Sequence, residues 1–330
     1  MGASIPEDLG GLGKDFITST LVNEGLGGGF SFSVAVAAHT GIGTLPILYF
    51  GTEAQKQKYI PKLASGEWKG AYGLTEPNSG SDALGAKTTA VLSADGKNYI
   101  LNGQKCWITN GGFADVYTVF AKVDGDKFSA FIVERGMEGF TTPEIHNKWS
   151  LRASATGELV FDNVKVPKAN ILPNVEGLRG PLGCLDNARY GIAWGAIGAA
   201  IDCYETARQY ALERIQFGKP IAGFQLQQKK LAEMLTEITK AQLLAWRLGT
   251  LKNEGRATTA QISMAKRNNV DMALTIAREA RQMLGGMGIT GDYPIMRHIM
   301  NLESVITYEG THDIHLLILG HEITGIQAFK

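Results

Sequence analysis

The stretch QLQQKKLAEMLTEITKAQLLAWRLGTL, residues 225–251, carries the clearest structural signal in the chain. Its apolar residues recur at the spacing of one helix face, at Leu231, Met234, Leu235, Ile238, Leu243, Leu244 and Leu248. A stripe with this period predicts a long amphipathic helix that packs against other helices. Residues 258–284 repeat the pattern, and residues 193–212 are rich in Ala and Gly, which lets helix backbones approach closely. We therefore expect three or four long helices in residues 173–330, packed as an up-and-down bundle.

Residues 69–172 have a different pattern, in which short β-prone runs alternate with turn signals. The runs at residues 116–121 and 130–133 are separated by Asp124-Gly125, and Asn102-Gly103 follows another run. Turns of this kind between β-branched and aromatic runs predict an antiparallel barrel or sandwich.

Residues 1–68 are small and apolar and are predicted to be helical. Thr52 and Gln55 have the spacing of a capping box at a helix start, and Pro46 and Pro61 are expected to divide the region. The fold class is therefore α+β, with domains at residues 1–68, 69–172 and 173–330.

Composition excludes several classes of protein. The 330 residues contain 32 Lys and Arg and 32 Asp and Glu, so the net charge is zero. Proteins that bind nucleic acid or an anionic membrane normally have a basic excess, so we expect neither partner. Cys106, Cys184 and Cys203 lack zinc or redox spacing and predict buried thiols in a reducing compartment. The chain opens without a signal-peptide pattern, and no uninterrupted apolar run reaches about 18 residues, so we expect no membrane insertion.

A single carboxylate stands out near the C-terminus, in Tyr308-Glu309-Gly310-Thr311-His312-Asp313-Ile314-His315. Glycine lets another molecule approach the backbone, and Thr311 with Asp313 can cap the following helix. A carboxylate in apolar surroundings has a raised pKa, which suits a general base. The alternative is that Glu309 is only first-turn charge on a capped helix.

Two segments near the start of the β region have the chemistry of a ligand site. The loop YGLTEPNSGSD, residues 72–82, offers backbone N–H groups and short donors to a flat heteroaromatic ring or a phosphate, although an ordinary turn explains it equally. In a strand, Trp107 and Thr109 point to the same side and could contact one ring, unless the indole lies in the core.

Three further motifs have two interpretations each. Arg214 either complements the dipole at a helix end or binds a pyrophosphate. The GMGITG motif at residues 286–291 follows a helix, which excludes a dinucleotide βαβ unit and indicates a helix C-cap and turn. His312 and His315 lie three residues apart, but without further ligands nearby we predict no metal site.

Taken in order, these segments resemble the acyl-CoA dehydrogenases over nearly the whole chain. That resemblance implies a helical domain, a β domain and a C-terminal four-helix bundle. WSLRASATG (149–157), GCLDNARYGIAWG (183–195) and YEGTHDIH (308–315) most resemble the glutaryl-CoA dehydrogenases, whereas residues 1–148 are more similar to dehydrogenases of straight-chain acyl groups. The family has further helical turns before the segment IPEDLGGLG (5–13), so the N-terminal helical domain is expected to be partial.

The resemblance implies FAD as cofactor. It assigns the flavin to residues of the loop and the strand end: Tyr72, Leu74, Thr75, Gly80, Ser81, Trp107, Ile108 and Thr109, with Thr109 near flavin N5. The diphosphate and adenosine end, bound in a neighbouring subunit, is assigned to Arg214, Phe217, Gln225, Gln282, Leu284, Gly285 and Gly286. Thr311 and Asp313 are also expected to contact the cofactor.

The same resemblance makes Glu309 the base that removes the substrate's α-proton. The acyl-CoA site is expected to comprise Ser33, Val34, Ser81, Leu182, Leu185, Asn187, Arg189, Gly310 and Phe329. Ser33-Val34 align where the glutaryl enzymes have an arginine followed by serine, and that arginine pairs with the substrate's distal carboxylate. A carboxylate buried without a guanidinium partner is costly, so this position bears on substrate choice.

The activity that the resemblance implies is oxidation and decarboxylation of glutaryl-CoA to crotonyl-CoA, in lysine and tryptophan catabolism. Electrons pass to electron-transfer flavoprotein, and the enzyme is expected to be a homotetramer in the bacterial cytoplasm or the mitochondrial matrix. Ser33 leaves open a straight-chain dehydrogenase that does not decarboxylate. The partial N-terminal domain leaves open a non-catalytic scaffold that binds flavin or CoA.

Overall fold

The computed structural model describes residues 1–125, 127–175, 177 and 179–328. The chain forms two compact units. The first comprises Met1–Lys14, Val34–Lys148 and Arg152–Ala188, and the second Asp15–Ser33, Trp149–Leu151 and Arg189–Lys330. Each unit is described here by itself.

The N-terminal region is helical, as its composition predicts. Its helices are α1 (Phe16–Gly25), α2 (Phe30–Ala38), α3 (Leu45–Phe50) and α4 (Glu53–Ser65). Both hydrogen bonds of the predicted capping box join Thr52 and Gln55 at the start of α4. The prediction that Pro61 divides this region was wrong, because Pro61 lies inside α4. Burial of Tyr59, Ile60 and Leu63 around it stabilises the continuous helix against the lost hydrogen bond.

One helical stretch of the described residues, Gly27–Phe50, is long and apolar enough to cross a membrane, with a hydropathy of 1.4. Of its most apolar window of 18 residues, 44% is buried inside the protein. A core helix of a soluble protein has the same length and composition, so this stretch is weak evidence for a membrane segment.

The first unit contains a mixed sheet of eight strands among the described residues. These are β1 (Gly70–Gly73), β2 (Thr89–Leu92), β3 (Asn98–Thr109), β4 (Val116–Val123), β5 (Lys127–Glu134), β6 (Phe140–Thr141), β7 (Thr156–Pro167) and β8 (Ile171–Leu172). The strand order is β6-β7-β3-β2-β4-β5-β8, and β1 pairs with β4. Pairing is antiparallel except where β1 and β2 meet β4 in parallel. The predicted β-sheet middle domain is confirmed.

The β4–β5 hairpin is buried on both faces. Val116 and Phe120 of β4 belong to a core cluster with Tyr59 and Leu63 of α4. The alternate residues, including Tyr117 and Val119, belong to a second cluster with residues of β3 and β7. Because side chains alternate along a strand, one hairpin supplies the centre of both clusters and holds β1 rigidly at its edge.

The second unit is mainly helical. Its long helices are α5 (Arg179–Glu213, which begins in the first unit), α6 (Gln225–Asn253), α7 (Thr259–Met283), α8 (Ile295–Val305) and α9 (His312–Thr324), and a small hairpin of β9 (Ile215–Gln216) and β10 (Lys219–Pro220) precedes α6. α7 packs against α6, α8 and α9. The predicted C-terminal helical domain is confirmed. Glycine permits a close approach at Gly198 of α5, where a Cβ would overlap the carbonyl oxygen of Glu24.

The three cysteines, Cys106, Cys184 and Cys203, are all buried, as predicted. Burial raises the pKa of the Cys106 and Cys203 thiols above the ordinary value. These thiols therefore behave as small apolar side chains, because the reactive thiolate is disfavoured in an apolar interior.

Candidate functional site

The candidate residues fall in both units. In the first unit, the loop after β1 is closed by its own hydrogen bonds. Glu76 and Ser79 exchange two backbone hydrogen bonds of 3.0 Å, and the Ser79 hydroxyl donates to Asp82 O at 2.6 Å. Tyr72, at the end of β1, donates its hydroxyl proton to Pro181 O at 3.1 Å, next to the predicted substrate residue Leu182. The loop is therefore a defined structure rather than an extended connection.

A buried ion pair joins this loop to β3. Lys105 Nζ of β3 lies 2.7 Å from Glu76 Oε1, and Glu76 also accepts the backbone N–H groups of Lys87 and Thr88 at 2.6 and 3.0 Å. Burial disfavours ionisation of Glu76, but Lys105 and these donors hold the pKa of its carboxyl below the ordinary value. Burial also lowers the pKa of Lys105, against the opposing effect of Glu76. Glu76 accepts three hydrogen bonds and is paired with the Lys105 ammonium, as a buried charge requires.

The strand end that carries Trp107 is hydrogen-bonded to the loop. Cys106 N donates to Thr75 O at 3.0 Å, and Lys105 Nζ also donates to Leu74 O at 3.2 Å. The register of β3 against β7 shifts between Lys105 and Ile108, and Trp107 has a left-handed φ of 60°. This bulge turns the indole outward, where it is 63% exposed.

The predicted flavin residues are therefore adjacent in the first unit. Gly80 and Ser81 are exposed, and Leu74, Thr75 and Thr109 are half-buried. Tyr72 is buried, with its hydroxyl hydrogen-bonded. The Ile108 side chain is only 3% exposed and lies in the core, so only its backbone is available to a ligand. An exposed indole beside short hydroxyls and backbone groups has the chemistry to bind a flat heteroaromatic ring.

The residues predicted for the adenosine end lie on exposed parts of the second unit. Arg214, Phe217 and Gln225 belong to the segment from the end of α5 to the start of α6, which borders a surface cavity of about 470 Å³. Phe217 is 94% exposed and has a left-handed φ of 53°. Gln282 is exposed in the last turn of α7, and Gly285 and Gly286 are exposed after it. The Leu284 side chain is buried and leaves only its backbone available.

Glu309 lies in the short loop between α8 and α9 in the second unit, half-buried and with a left-handed φ of 56°. Arg189 of α5, itself 5% exposed, donates its Nε–H to the carbonyl oxygen of Glu309 at 2.9 Å. The Thr311 hydroxyl accepts the N–H of Ile314 at 3.2 Å and caps α9, as predicted. Asp313 is exposed in the first turn of α9. The loop thus presents one carboxylate from a fixed backbone.

A buried lysine contacts this loop from α7. Lys266 Nζ donates to Val305 O at 2.8 Å, Tyr308 O at 3.0 Å and Gly310 O at 2.9 Å, and its side chain is fully buried. Burial lowers its pKa to about 7. Burial also raises the pKa of the Tyr308 hydroxyl above its ordinary value. The loop is held by charge-assisted hydrogen bonds, which are stronger than those between neutral groups.

Two histidines beside the loop, His312 and His315, have lowered pKa values. His315 is fully buried, and burial with the nearby Lys266 and Arg189 lowers its pKa to about 3. Burial also lowers the pKa of His312. In the described part of the chain no group of His, Cys, Asp and Glu could hold a metal ion.

The predicted acyl-CoA residues have different exposures. Arg189 and Gly310 lie together with Glu309, because a Cβ at Gly310 would lie 3.7 Å from an Arg189 terminal nitrogen. Leu182 is exposed, Leu185, Asn187 and Val34 are half-buried, and Ser33 is buried at 4% exposure. Phe329 lies outside the described residues.

Sequence reasoning missed Lys266, Lys105 and Glu76 as contributors to the two loops. A signal for Lys266 existed, because it shares a helix face with the buried Ile262 and Asn269, at i−4 and i+3. A lysine on an apolar face is rarely buried unless its ammonium is bound by acceptors. For Lys105 no such signal existed, since Lys and Gln are common in exposed strands.

Three family profiles match the chain in order. "Acyl-CoA dehydrogenase, N-terminal domain" matches residues 1–67, the middle domain matches 71–164, and the C-terminal domain matches 176–324. An acyl-CoA dehydrogenase of Bacillus subtilis is 43% identical over 98% of this chain and 87% of that protein. A probable acyl-CoA dehydrogenase of the same organism is 42% identical over 97% of this chain, which spans only 57% of that longer relative.

Solved structures agree with these matches. Glutaryl-CoA dehydrogenase from Mycobacterium smegmatis, in complex with FADH2, is 45% identical with a TM-score of 0.97, covering 100% of this chain and 85% of that one. Butyryl-CoA dehydrogenase from Megasphaera elsdenii is 38% identical with a TM-score of 0.93, covering 98% and 86%. A chain in the structure named for the electron transferring flavoprotein of Acidaminococcus fermentans is 39% identical with a TM-score of 0.94, covering 98% and 86%.

Proposed function

The chain belongs to the acyl-CoA dehydrogenase family of FAD-dependent oxidoreductases, and we propose that it converts an acyl-CoA thioester into the trans-2-enoyl-CoA. The observation that carries the proposal is the fixed loop of Glu309, whose backbone is held by Arg189 and Lys266. Glu309 takes the proton from the substrate's α-carbon, and the bond electrons form the new α,β double bond as a hydride leaves the β-carbon. FAD, when bound, supplies the acceptor for that hydride.

The residues of the first unit fit a flavin. The outward indole of Trp107 offers an apolar surface, and Thr75 and Thr109 offer hydroxyl groups beside it. The loop that carries Thr75 is fixed by the Glu76–Lys105 pair, so these groups need little reorganisation on binding. We assign the ring-binding role to the Tyr72–Ser81 loop and to the strand end at Trp107–Thr109.

Thioester activation depends on stabilising the negative charge that develops on its oxygen. In our proposal the Glu309 backbone N–H donates a hydrogen bond to that oxygen, and bound FAD would supply a second donor through one of its hydroxyl groups. A rigid donor is effective because no reorganisation is needed as charge develops. The left-handed backbone at Glu309 and Gly310 fixes the direction of this N–H relative to the carboxylate.

For the substrate we propose glutaryl-CoA. The support is the 45% identity and TM-score of 0.97 with the Mycobacterium smegmatis enzyme. After dehydrogenation the glutaconyl thioester loses its distal carboxylate as CO2. The electron pair passes into the conjugated thioester, and a proton adds at the γ-carbon to give crotonyl-CoA. We place this reaction in lysine and tryptophan catabolism.

A specific observation favours a second candidate, a short straight-chain acyl-CoA that is not decarboxylated. Ser33 is buried and carries no charge at the position where the glutaryl resemblance expects arginine. A substrate carboxylate desolvated there without a guanidinium loses its charge-assisted hydrogen bonds. Butyryl-CoA has no such carboxylate and avoids this cost.

The remaining parts of the proposal concern partners. Two electrons must leave the protein after each turnover, and we propose electron-transfer flavoprotein as acceptor, in line with the Acidaminococcus fermentans neighbour.

We also propose a homotetramer, in which Arg214, Phe217 and Gln225 contact FAD held by a neighbouring subunit. The 94% exposure of the Phe217 ring in the single chain supports such a contact.

An anaerobic titration tests the reaction and the substrate together. The purified flavoprotein is mixed with glutaryl-CoA or butyryl-CoA, and loss of the oxidised flavin absorbance is followed with release of CO2. We expect rapid bleaching, and the preferred thioester distinguishes the two candidates. Absence of bleaching with every short acyl-CoA would favour the non-catalytic scaffold.

The role of Glu309 is tested by Glu309→Gln. The matched control is Glu303→Gln, which removes an exposed carboxylate of α8 paired with Arg278. We expect Glu309→Gln to bind acyl-CoA but to bleach the flavin only at a slow residual rate, and Glu303→Gln to retain turnover. Full turnover by Glu309→Gln contradicts the assignment of the base.

A further inference from the structure

The loop between α8 and α9 has nearly all its carbonyl groups bound. Lys266 binds those of Val305, Tyr308 and Gly310, and Arg189 binds that of Glu309. The carbonyl of Ile306 accepts the N–H of His312 at 3.0 Å. The two cations come from different helices, α7 and α5, so the loop is fixed from two directions.

The ammonium of Lys266 matches this arrangement better than other side chains do. It has three N–H donors in tetrahedral geometry and three carbonyl acceptors between 2.8 and 3.0 Å away. A planar guanidinium cannot direct its donors in this way, and a methionine would fill the space without donating. Val305 ends α8, so the ammonium also lies at the negative end of that helix.

These bonds explain why Glu309 keeps an unfavourable backbone. Its φ of 56° is uncommon for a residue with a side chain, and Gly310 follows at 93°. Such conformations persist where surrounding contacts over-determine them. Lys266 binds the carbonyl of Tyr308, in the peptide plane before Glu309, and Arg189 binds the carbonyl of Glu309, in the plane after it. Together they fix the two peptide planes that set the direction of the Glu309 side chain, and the bond of Lys266 to the Gly310 carbonyl fixes the next plane.

We propose that Lys266 is the positioning residue of the base, holding the backbone of residues 305–310 so that the Glu309 carboxylate points at the substrate's α-carbon. The inference rests on the proposed function of Glu309. Lys266 itself is buried and does not contact substrate, so its effect on the reaction passes through Glu309.

The charged surroundings of Lys266 make its hydrogen bonds to the loop sensitive to pH. Glu309 favours its ammonium form and Arg189 disfavours it, while His312 and His315 of α9 and Tyr308 of the loop are the other titratable groups nearby. The pKa of Lys266 is lowered to about 7. At pH values above it, the ammonium loses a proton and with it one of its three N–H donors. The loop is therefore expected to loosen as pH rises through neutrality.

Kinetics of Lys266→Met test the proposal, with rates expressed per bound flavin. Misplacing a reacting group by about 1 Å can lower a rate about 100-fold, so we expect kcat to fall by that order. KM is expected to remain unchanged, because the base acts in the transition state. The control is Arg278→Met on the same helix, which removes an exposed cation paired with Glu303 and should leave kcat unchanged.

A double variant separates positioning from general damage. In a Glu309→Gln background Lys266→Met should cause no further fall in the residual rate of flavin reduction, because the effect of Lys266 requires the Glu309 carboxylate. An independent further loss, or a kcat per flavin equal to that of the parent, overturns the proposal. If Glu309→Gln itself stays active, the proposed base fails and the result is distinguishable from failure of Lys266 alone.

A measurement on the unaltered protein covers the case in which Lys266→Met does not fold. Residue-resolved hydrogen exchange, corrected for intrinsic rates, reports protection of the His312 amide, which closes the loop on Ile306. We expect its protection to fall between pH 6 and pH 9, about 1 unit or more on either side of neutrality, relative to the Gly325 amide at the other end of α9. Equal protection across this range overturns the role of the ammonium.

Discussion

Lys105 Nζ lies 2.7 Å from Glu76 Oε1, and the two side chains are 0% and 7% exposed. The pair joins β3 to the loop of residues 74–82, which carries the proposed flavin contacts. A buried ion pair often adds little net stability, but removal of one partner leaves an uncompensated charge in the interior.

Lys105→Met should therefore destabilise the protein by about 3–5 kcal/mol and reduce retention of flavin. Urea unfolding measures the first effect and the flavin-to-protein absorbance ratio the second. Lys105→Met combined with Glu76→Gln should recover part of the stability, because no unpaired charge remains. The control is Lys229→Met, whose exposed pair with Glu233 contributes little. A single variant as stable as the control contradicts this role for the pair.

The indole of Trp107 can be removed without disturbing the bulge that carries it. Glycine adopts the left-handed backbone of Trp107 freely, so Trp107→Gly should leave the free energy of unfolding nearly unchanged. Loss of an aromatic surface from a ring-binding site should weaken FAD binding about tenfold, or by about 1.4 kcal/mol. Titration of apoprotein with FAD measures the change. Trp107→Phe keeps an aromatic face and should bind better than Trp107→Gly; equal affinities would show that the indole does not contact the cofactor.

Buried His315 should make the protein sensitive to acid. Its pKa is lowered to about 3 by burial and by Lys266 and Arg189, whereas an unfolded histidine titrates near 6.5. Between these values the unfolded chain binds more protons, so stability is lost as pH falls below about 6.5. From pH 7.5 to pH 4.5 the loss should be at most about 3 kcal/mol for this group.

His315→Gln should remove this part of the acid dependence, as measured by urea unfolding at both pH values. His321→Gln is the matched control, since His321 is exposed on the same helix. The interpretation is wrong if both variants keep the parent's difference in free energy of unfolding between pH 4.5 and pH 7.5.

The close approach at Gly198 should tolerate no side chain. A Cβ there would overlap the backbone carbonyl of Glu24 and approach Gly27, and backbone cannot move aside cheaply. Gly198→Ala should cost about 1–3 kcal/mol, the usual range for overpacking. Gly320→Ala in α9 meets open space and should instead gain about 0.5–1 kcal/mol through higher helix propensity. Thermal and urea unfolding of both variants decide between these signs.

The helices and strands could be predicted because each has a local cause. The apolar stripe of residues 225–251 lies in α6, and the Thr52–Gln55 capping box is present as expected. The Ala and Gly content of residues 193–212 also indicated close packing, which Gly198 realises against Glu24. These signals depend on residues near each other in the sequence, so one sequence suffices to find them.

The rest of the site depends on contacts between residues far apart in the chain. Lys266 binds carbonyls about forty positions away, and Lys105 meets Glu76 across a strand and a loop. The bulge at Trp107 arises from pairing with β7, and burial of its neighbours keeps Pro61 within α4. Tertiary packing decides all four features, and local pattern carries little information about it.

The burial of Cys106, Cys184 and Cys203 has a practical consequence. Thiol reagents react with accessible thiolates, so the folded chain should be inert to maleimides and should react only on unfolding. A cysteine introduced at an exposed position without an assigned ligand contact, such as Asn78 on the loop after β1, should then be labelled alone. A fluorophore or spin label placed there can report movement of that loop during turnover, without any need to remove the natural cysteines.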